Sequence, residues 1–190
     1  MIVTNLLAKV YLEPGAMIPK IMLSDRAFAD AIQRLPVLCV DILIMDRDQG
    51  MIYLAPRKLK PKQGQWLIGG ARAAGQTKEM AVVSNFKRET KLELPIKRFH
   101  WIAQMEYICN NREQLPQDLG CHSVADTFTV ELTREELEFV SRNLDDREYK
   151  ETKGLRPFNL TRLITENVDP AIIDLYKWVF PQGWVFPQGT

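Results

Sequence analysis

The segment of residues 69–94 limits what this chain can fold into, because a glycine-rich stretch leads directly into a helical pattern. Gly69, Gly70 and Gly75 permit backbone angles that larger residues disfavour, and Thr77 is a favourable N-cap for the residues that follow. The segment therefore predicts a turn followed by a helix over residues 77–90. Such a loop and helix N-terminus form a platform for an anion or a metal ion.

One carboxylate lies on the inner side of this predicted helix. Val82, Phe86 and Glu89 fall on one stripe, since seven residues make almost two helical turns. A carboxylate beside the core needs a cation or hydrogen-bond donors. Glu89 is therefore predicted to hold a metal ion or, alternatively, to be satisfied by Arg57 or a backbone turn.

The same segment resembles the signature of the Nudix hydrolases, a loop-helix-loop in which several glutamates hold divalent cations. With Gly70 at the first glycine of the signature, Glu89 is the one acidic residue at an acidic position. The other defining positions hold different residue types: Gln76, Ser84, Asn85, Arg88 and Lys91. The resemblance implies an α/β fold, a Nudix-type α/β/α sandwich with a mixed β-sheet.

Within that family the chain is most similar to the GDP-mannose mannosyl hydrolases, which keep a single metal-binding glutamate at the position of Glu89. Residues 28–41 resemble the first helix and strand of that branch, and Arg57 and Trp66 follow in its order. The resemblance covers residues 27–94. It implies a metal-dependent hydrolase of a nucleoside diphosphate sugar, with Mg²⁺ (or Mn²⁺) bound by Glu89 and by the carbonyl of Gly69.

Asp41 lies within an almost unbroken apolar run, residues 37–45, which is typical of a strand buried on both faces. An ionised carboxylate there needs a partner. If the chain turns near Asp48, the strand over residues 51–57 brings Arg57 close to the position opposite Asp41. The pair either fixes the strand register or, as the resemblance implies, lies around the substrate diphosphate as catalytic groups.

Other site residues follow from the resemblance. Trp66 and Arg72 are predicted to bind substrate beside Arg57, while His122 resembles a histidine that some relatives hold in the site. A structural role is the alternative for His122. The related hydrolases use a histidine as general base before their last strand or helix, but residues 145–154 contain none, so Glu148 or Glu151 is an alternative base. An alternative interpretation of this charged stretch is a loop that is exposed to solvent. The same alternative applies to the basic stretch of residues 57–62.

Composition narrows the class of protein. With 190 residues, 46% of them hydrophobic, the chain is long enough for one domain, with a core over residues 24–180. Residues 1–22 form an extension, and residues 181–190 a tail that completes a repeated six-residue motif. Because the net charge is only +1, no nucleic-acid partner is predicted. The sequence contains no run of about twenty apolar residues, so no membrane span is predicted either. Three cysteines without metal-site spacing are expected to be free thiols of a cytoplasmic protein.

Three functions are compatible with these patterns. The first is hydrolysis of a nucleoside diphosphate sugar. The second is a Nudix fold without turnover that binds a nucleotide or sugar phosphate as a regulatory module. The third, pyrophosphate cleavage by Glu79, Glu89 and Glu93, is disfavoured because these residues do not share a helix face. A homodimer is also predicted, since Trp184 and Phe186 of the repeat could form a contact.

Overall fold

A computed structural model of the chain describes Ile18, residues 23–150 and residues 154–181. These ranges contain five helices and seven strands. The helices are α1 (Asp25–Ile32), α2 (Lys78–Thr90), α3 (Arg134–Arg142), α4 (Leu160–Thr165) and α5 (Pro170–Val179), with a 3₁₀ turn at Ile96–Arg98. The strands are β1 (Val37–Asp46), β2 (Met51–Arg57), β3 (Gly64–Trp66), β4 (Ile68–Ala71), β5 (His100–Cys109), β6 (Cys121–Glu131) and β7 (Arg156–Phe158).

Strand β1 is the centre of the sheet, whose main order is β3-β2-β1-β6-β5. It runs parallel to β6, while its other neighbours are antiparallel. Its second edge is divided: residues 39–42 pair with β4, and residues 44–46 pair with β2. β7 pairs with β2. The sheet is therefore mixed, and the point where β1 changes partner leaves room for a cavity.

Helices cover both faces of this sheet. One core cluster contains side chains of α4 and α5, such as Leu163 and Ile172, and the other contains side chains of α2 and α3, such as Phe86 and Val140. Apolar side chains of β1 contribute to both clusters, which explains the continuous apolar run of this strand. The predicted α/β/α sandwich with a mixed sheet is confirmed.

Local capping signals place the helices close to their predicted positions. Thr77 accepts a hydrogen bond from the N–H of Met80 at the start of α2, and Thr133 forms a reciprocal capping box with Glu136 at the start of α3. The first helix begins after Ser24, whose hydroxyl accepts a hydrogen bond from the N–H of Ala27, and ends at Ile32. The amides of residues 34 and 35 both bond to the carbonyl of Ala31, so a turn replaces the last helical residues.

The paired glycines lie in a strand rather than in the predicted turn. Gly69 and Gly70 belong to β4, whereas Gly75, with a φ of +81°, turns the chain towards α2. A Cβ atom on Gly69 would lie 2.2 Å from the carbonyl oxygen of Val40. Glycine is therefore required here for close approach of β4 to β1.

Some expectations concern residues outside the described ranges. They include the N-terminal extension apart from Ile18, the tail apart from Pro181, Glu151, and the dimer contact through Trp184 and Phe186. The homodimer stays a prediction. Within the described ranges, no helix is long and apolar enough to cross a membrane. The cytoplasmic location also stays a prediction.

Candidate functional site

A cavity of about 310 Å³ opens beside the point where β1 changes partner. Its volume is at the lower end of the range for small-molecule sites, roughly 300–1,000 Å³. Positive charge predominates on its walls. Five cationic side chains line it, namely Arg57, Lys60, Lys62, Arg88 and Arg112, together with two carboxylates, Asp41 and Glu148.

Asp41 lies on the cavity wall with 7% of its surface exposed. The prediction that β2 places Arg57 opposite this residue is wrong, because β1 has already changed partner there and Asp41 pairs with Gly69 of β4. Burial raises the pKa of Asp41 to about 6, while the nearby charge of Arg57 and the neighbouring Tyr107 hydroxyl act in the opposite direction. Asp41 and Arg57 thus share the cavity without being strand partners.

Arg57 closes the C-terminal end of β2 and points into the cavity. Its Nη2 atom lies 3.3 Å from Oε2 of Glu148, without the alignment of a hydrogen bond. Within the described part of the chain, the buried Nε atom of Arg57 has no hydrogen-bond partner. A buried donor without a partner is uncommon in proteins, so this group is available to a ligand.

Trp66 provides an apolar wall beside these charges. Its ring packs edge-on against Tyr107, with 5.5 Å between ring centroids. The ammonium group of Lys62 lies 4.8 Å from the Trp66 ring centroid and 2.7 Å from a carboxylate oxygen of Asp169. The predicted substrate-binding residue Trp66 is therefore brought to the same cavity as Arg57.

Glu89 is fully buried behind the cavity wall. Its Oε1 atom lies 2.5 Å from Nη2 of Arg88, and its Oε2 atom accepts hydrogen bonds from the Tyr149 hydroxyl and, at 3.2 Å, from the N–H of Gly69. Burial raises the pKa of Glu89, and the Tyr149 and Arg88 contacts oppose this effect. The carboxylate is satisfied by donors from three parts of the chain.

These donors do not fit a divalent cation. Mg²⁺ requires a near-octahedral set of oxygen ligands. Both oxygens of Glu89 already accept hydrogen bonds, and the guanidinium of Arg88 would repel a second cation. Among residues 23–150 and 154–181, no group of three or more His, Cys, Asp or Glu side chains could hold a metal. Glu89 and Gly69 are adjacent, but the contact is made by the Gly69 N–H rather than its carbonyl, and the residues present do not form a site for Mg²⁺ or Mn²⁺.

The remaining predicted residues are divided between the cavity and its surroundings. His122 lines the cavity, and its Nε2 atom lies 2.6 Å from a carboxylate oxygen of Glu106. Arg72 is not among the described residues that line the cavity; it contacts Asp126 at 3.3 Å and the carbonyl of Gln76 at 3.0 Å. A substrate-binding role for Arg72 is therefore not supported by its position.

The acidic residues proposed as alternatives also have distinct positions. Glu148 is in the cavity, whereas Glu93 pairs with Lys87 on the exposed side of the chain, 2.5 Å away. Glu79 does not line the cavity within the described ranges either. An acidic set of Glu79, Glu89 and Glu93 is therefore not assembled at this site.

Three functional neighbours were missed from the sequence. Tyr149 donates a hydrogen bond to Glu89, the Tyr107 hydroxyl lies near Asp41, and Arg112 supports the loop between β5 and β6. The Arg112 guanidinium is buried and donates to four backbone carbonyls: Ala29, Gln114, Leu115 and Pro116. No local pattern marks these residues, because each acts through a partner distant in sequence or through backbone carbonyls.

Comparison with known proteins places this geometry in a fold family. No protein-family model and no curated protein matches the sequence. Solved structures do match. A MutT NUDIX hydrolase from Burkholderia pseudomallei has a TM-score of 0.52 and 22% identity, over 68% of this chain and 88% of that chain. The Escherichia coli dihydroneopterin triphosphate pyrophosphohydrolase has a TM-score of 0.52 and 10% identity, over 76% and 96%.

A third similar structure is the NUDIX domain of Shewanella oneidensis NrtR, which was solved in complex with ADP ribose. It has a TM-score of 0.51 and 15% identity, over 85% of this chain and 99% of that chain. The chain spans 44% of the length of a MutT/nudix family protein from Enterococcus faecalis. Together with the mixed sheet and the loop leading into α2, these similarities lead to one conclusion: the chain has the Nudix hydrolase fold.

Proposed function

We propose that the cavity binds a nucleoside diphosphate or a nucleoside diphosphate sugar, and that the chain acts as a nucleotide-binding module. The observation that carries this proposal is the excess of cationic over acidic side chains on the cavity wall. Phosphate groups carry the complementary charge, and guanidinium groups bind them through paired hydrogen bonds. The satisfied state of Glu89 favours binding over the metal-dependent chemistry that the sequence resemblance implies.

Arg57 is the best placed group for a phosphate. Its Nε atom lacks a partner in the described part of the chain, and its contact with Glu148 is poorly aligned. A phosphate oxygen near this group would satisfy the donor and reduce the positive charge of the cavity. Trp66 and Tyr107 offer an adjacent apolar surface for a base or sugar ring. The NUDIX domain of Shewanella oneidensis NrtR, which shares this fold, binds a nucleoside diphosphate sugar, ADP ribose.

The binding test is calorimetric titration with ADP, GDP, ADP-ribose and GDP-mannose, using the wild-type chain and Arg57→Gln. Hydrogen bonds to charged groups contribute about 1.5–3 kcal/mol, so Arg57→Gln is expected to weaken binding by about tenfold to a hundredfold. Arg134→Gln is the matched control, because Arg134 is an exposed arginine of α3 that does not line the cavity. Equal affinities of wild type and Arg57→Gln would contradict the assignment of Arg57.

A second candidate function, hydrolysis of a nucleoside diphosphate sugar such as GDP-mannose, is favoured by Asp41. This carboxyl group is buried on the wall of the same cavity, and its pKa of about 6 suits a general base near neutral pH.

The same ligands should be incubated with the chain, and free sugar and phosphate measured by chromatography. Including Mg²⁺, Mn²⁺ or EDTA tests the metal dependence implied by the sequence. Release of sugar by the wild type but not by Asp41→Asn would favour hydrolysis, whereas binding without product would favour the module.

A further inference from the structure

The helix that carries Glu89 presents hydrogen-bond donors where the sequence resemblance implies acids. The amide of Gln76 donates to Ser84 at 3.2 Å, and the amide of Asn85 donates to the carbonyls of Gly70 and Ala71 at 3.1 and 3.2 Å. Arg88 donates to Glu89. These side chains form a neutral and cationic hydrogen-bonded set in place of a group of carboxylates. Their contacts stabilise the loop and helix without an ion.

Arg88 supplies the positive charge of this set at the cavity wall. Its Nη2 atom is next to Glu89, and it lies against Gly70 so closely that a Cβ atom on this glycine would be 2.6 Å away. The side chain remains 44% exposed. A guanidinium has five N–H donors, of which Glu89 engages one in the described contacts. The others are available to a ligand that enters the cavity.

We propose that the guanidinium of Arg88 replaces a divalent cation at this site and binds the phosphate groups of the ligand together with Arg57. This inference rests on the proposed nucleotide-binding function and specifies how the phosphates are recognised. Arg88 and Arg57 each supply one fixed positive charge to the phosphates, and each lies beside one carboxylate, Glu89 and Glu148 respectively. Ligand binding is therefore independent of divalent metal.

The first test compares ligand affinity with and without metal. ADP-ribose and GDP-mannose are titrated into the wild-type chain in EDTA and in magnesium chloride, and the two affinities are expected to agree within about twofold. Arg88→Gln is expected to weaken binding by about tenfold to a hundredfold in both buffers, since it removes a charged donor. Lys87→Gln is the matched control, because the neighbouring Lys87 is exposed and pairs with Glu93. Loss of wild-type binding in EDTA and its recovery with Mg²⁺ would overturn the proposal.

The second test uses metal alone and does not depend on any nucleotide. Arg88→Glu places a carboxylate beside Glu89. The negative charge of Glu148 also acts on Glu89 and raises its pKa. This variant is expected to bind Mn²⁺, measured from the electron paramagnetic resonance signal of the free ion, at least tenfold more tightly than the wild type. Lys87→Glu controls for the same change in net charge on the same helix. Equally tight Mn²⁺ binding by the wild type and Arg88→Glu would overturn the proposal.

The two tests separate this inference from the proposed function. If no nucleotide binds the wild type in either buffer, the proposed function fails, while the Mn²⁺ comparison still decides whether Arg88 occupies the place of an ion. Circular dichroism melting of every variant establishes that it is folded. If Arg88→Glu does not fold, Mn²⁺ binding by Arg88→Gln is compared with the wild type instead. Tenfold tighter binding after loss of the charge would support the proposal, and unchanged binding would overturn it.

Discussion

Replacement of Glu89 by alanine is expected to lower the free energy of unfolding by about 3–5 kcal/mol. The change removes a fully buried side chain and leaves the hydroxyl of Tyr149 and the N–H of Gly69 without their acceptor. It also removes the counter-charge of Arg88. Urea denaturation followed by circular dichroism measures this loss. A loss of this size in the absence of ligand would assign Glu89 a structural role.

A matched control for this experiment is Glu93→Ala, since Glu93 is an exposed glutamate shortly after the same helix. Its surface pair with Lys87 is expected to contribute no more than about 1 kcal/mol. Glu89→Gln distinguishes the contribution of the side-chain shape from that of the negative charge. The amide keeps one acceptor oxygen but presents an N–H group to Arg88. An intermediate loss is expected for that variant. A loss below about 1 kcal/mol for Glu89→Ala would show that its hydrogen bonds are readily replaced by water.

Asp41→Asn is expected to raise the free energy of unfolding at neutral pH. It is also expected to remove part of the dependence of this free energy on pH. Burial raises the pKa of Asp41 from its usual value of 3.8 to about 6, so the folded state binds the proton more tightly than the unfolded state. The resulting stability is fully present below pH 3.8 and is lost as the pH rises through about 6. At 1.36 kcal/mol per pH unit, this loss amounts to about 3 kcal/mol.

The measurement is the difference in unfolding free energy between wild type and Asp41→Asn from pH 4 to pH 8. Contributions of groups that titrate alike in both proteins cancel in this difference. Asparagine has nearly the same size and shape as aspartate, and Arg57 keeps Glu148 as a neighbour. Asp46→Asn is a suitable control, because this aspartate lies at the far end of β1, where it caps a turn. A difference that does not change with pH would contradict the raised pKa of Asp41.

Most elements of the fold were predictable because their signals are local. The cap at Thr77 and the turn before Met51 place α2 and β2 within a residue or two of their observed ends. The requirement for Gly69 was not predictable in this way. It arises from the approach of β4 to Val40, which belongs to another strand. Sequence patterns describe a residue and its neighbours, not the strand that packs against it.

The candidate site was predictable only in part for the same reason. Four of the candidate residues, Asp41, Arg57, Trp66 and His122, line one cavity, while their roles in it stay predictions. The prediction that Arg57 lies opposite Asp41 was wrong, because it assumed that β1 and β2 pair along their whole length as one continuous hairpin. The role of Tyr149 could not be foreseen, because 60 residues separate it from Glu89.

The segment of residues 143–150, which follows α3, is tied by backbone hydrogen bonds to the ends of α2 and β2. Its amides at Asp145 and Lys150 bond to the carbonyls of Glu89 and Pro56, and its carbonyl at Glu148 accepts from the N–H of Lys58. These amide hydrogens can exchange with solvent only when the end of α2 or the end of β2 separates from the segment. We therefore expect the amides of Asp145 and Lys150 to exchange as slowly as those of the core, so that the cavity wall formed by Glu148 behaves as part of the folded unit rather than as a surface loop.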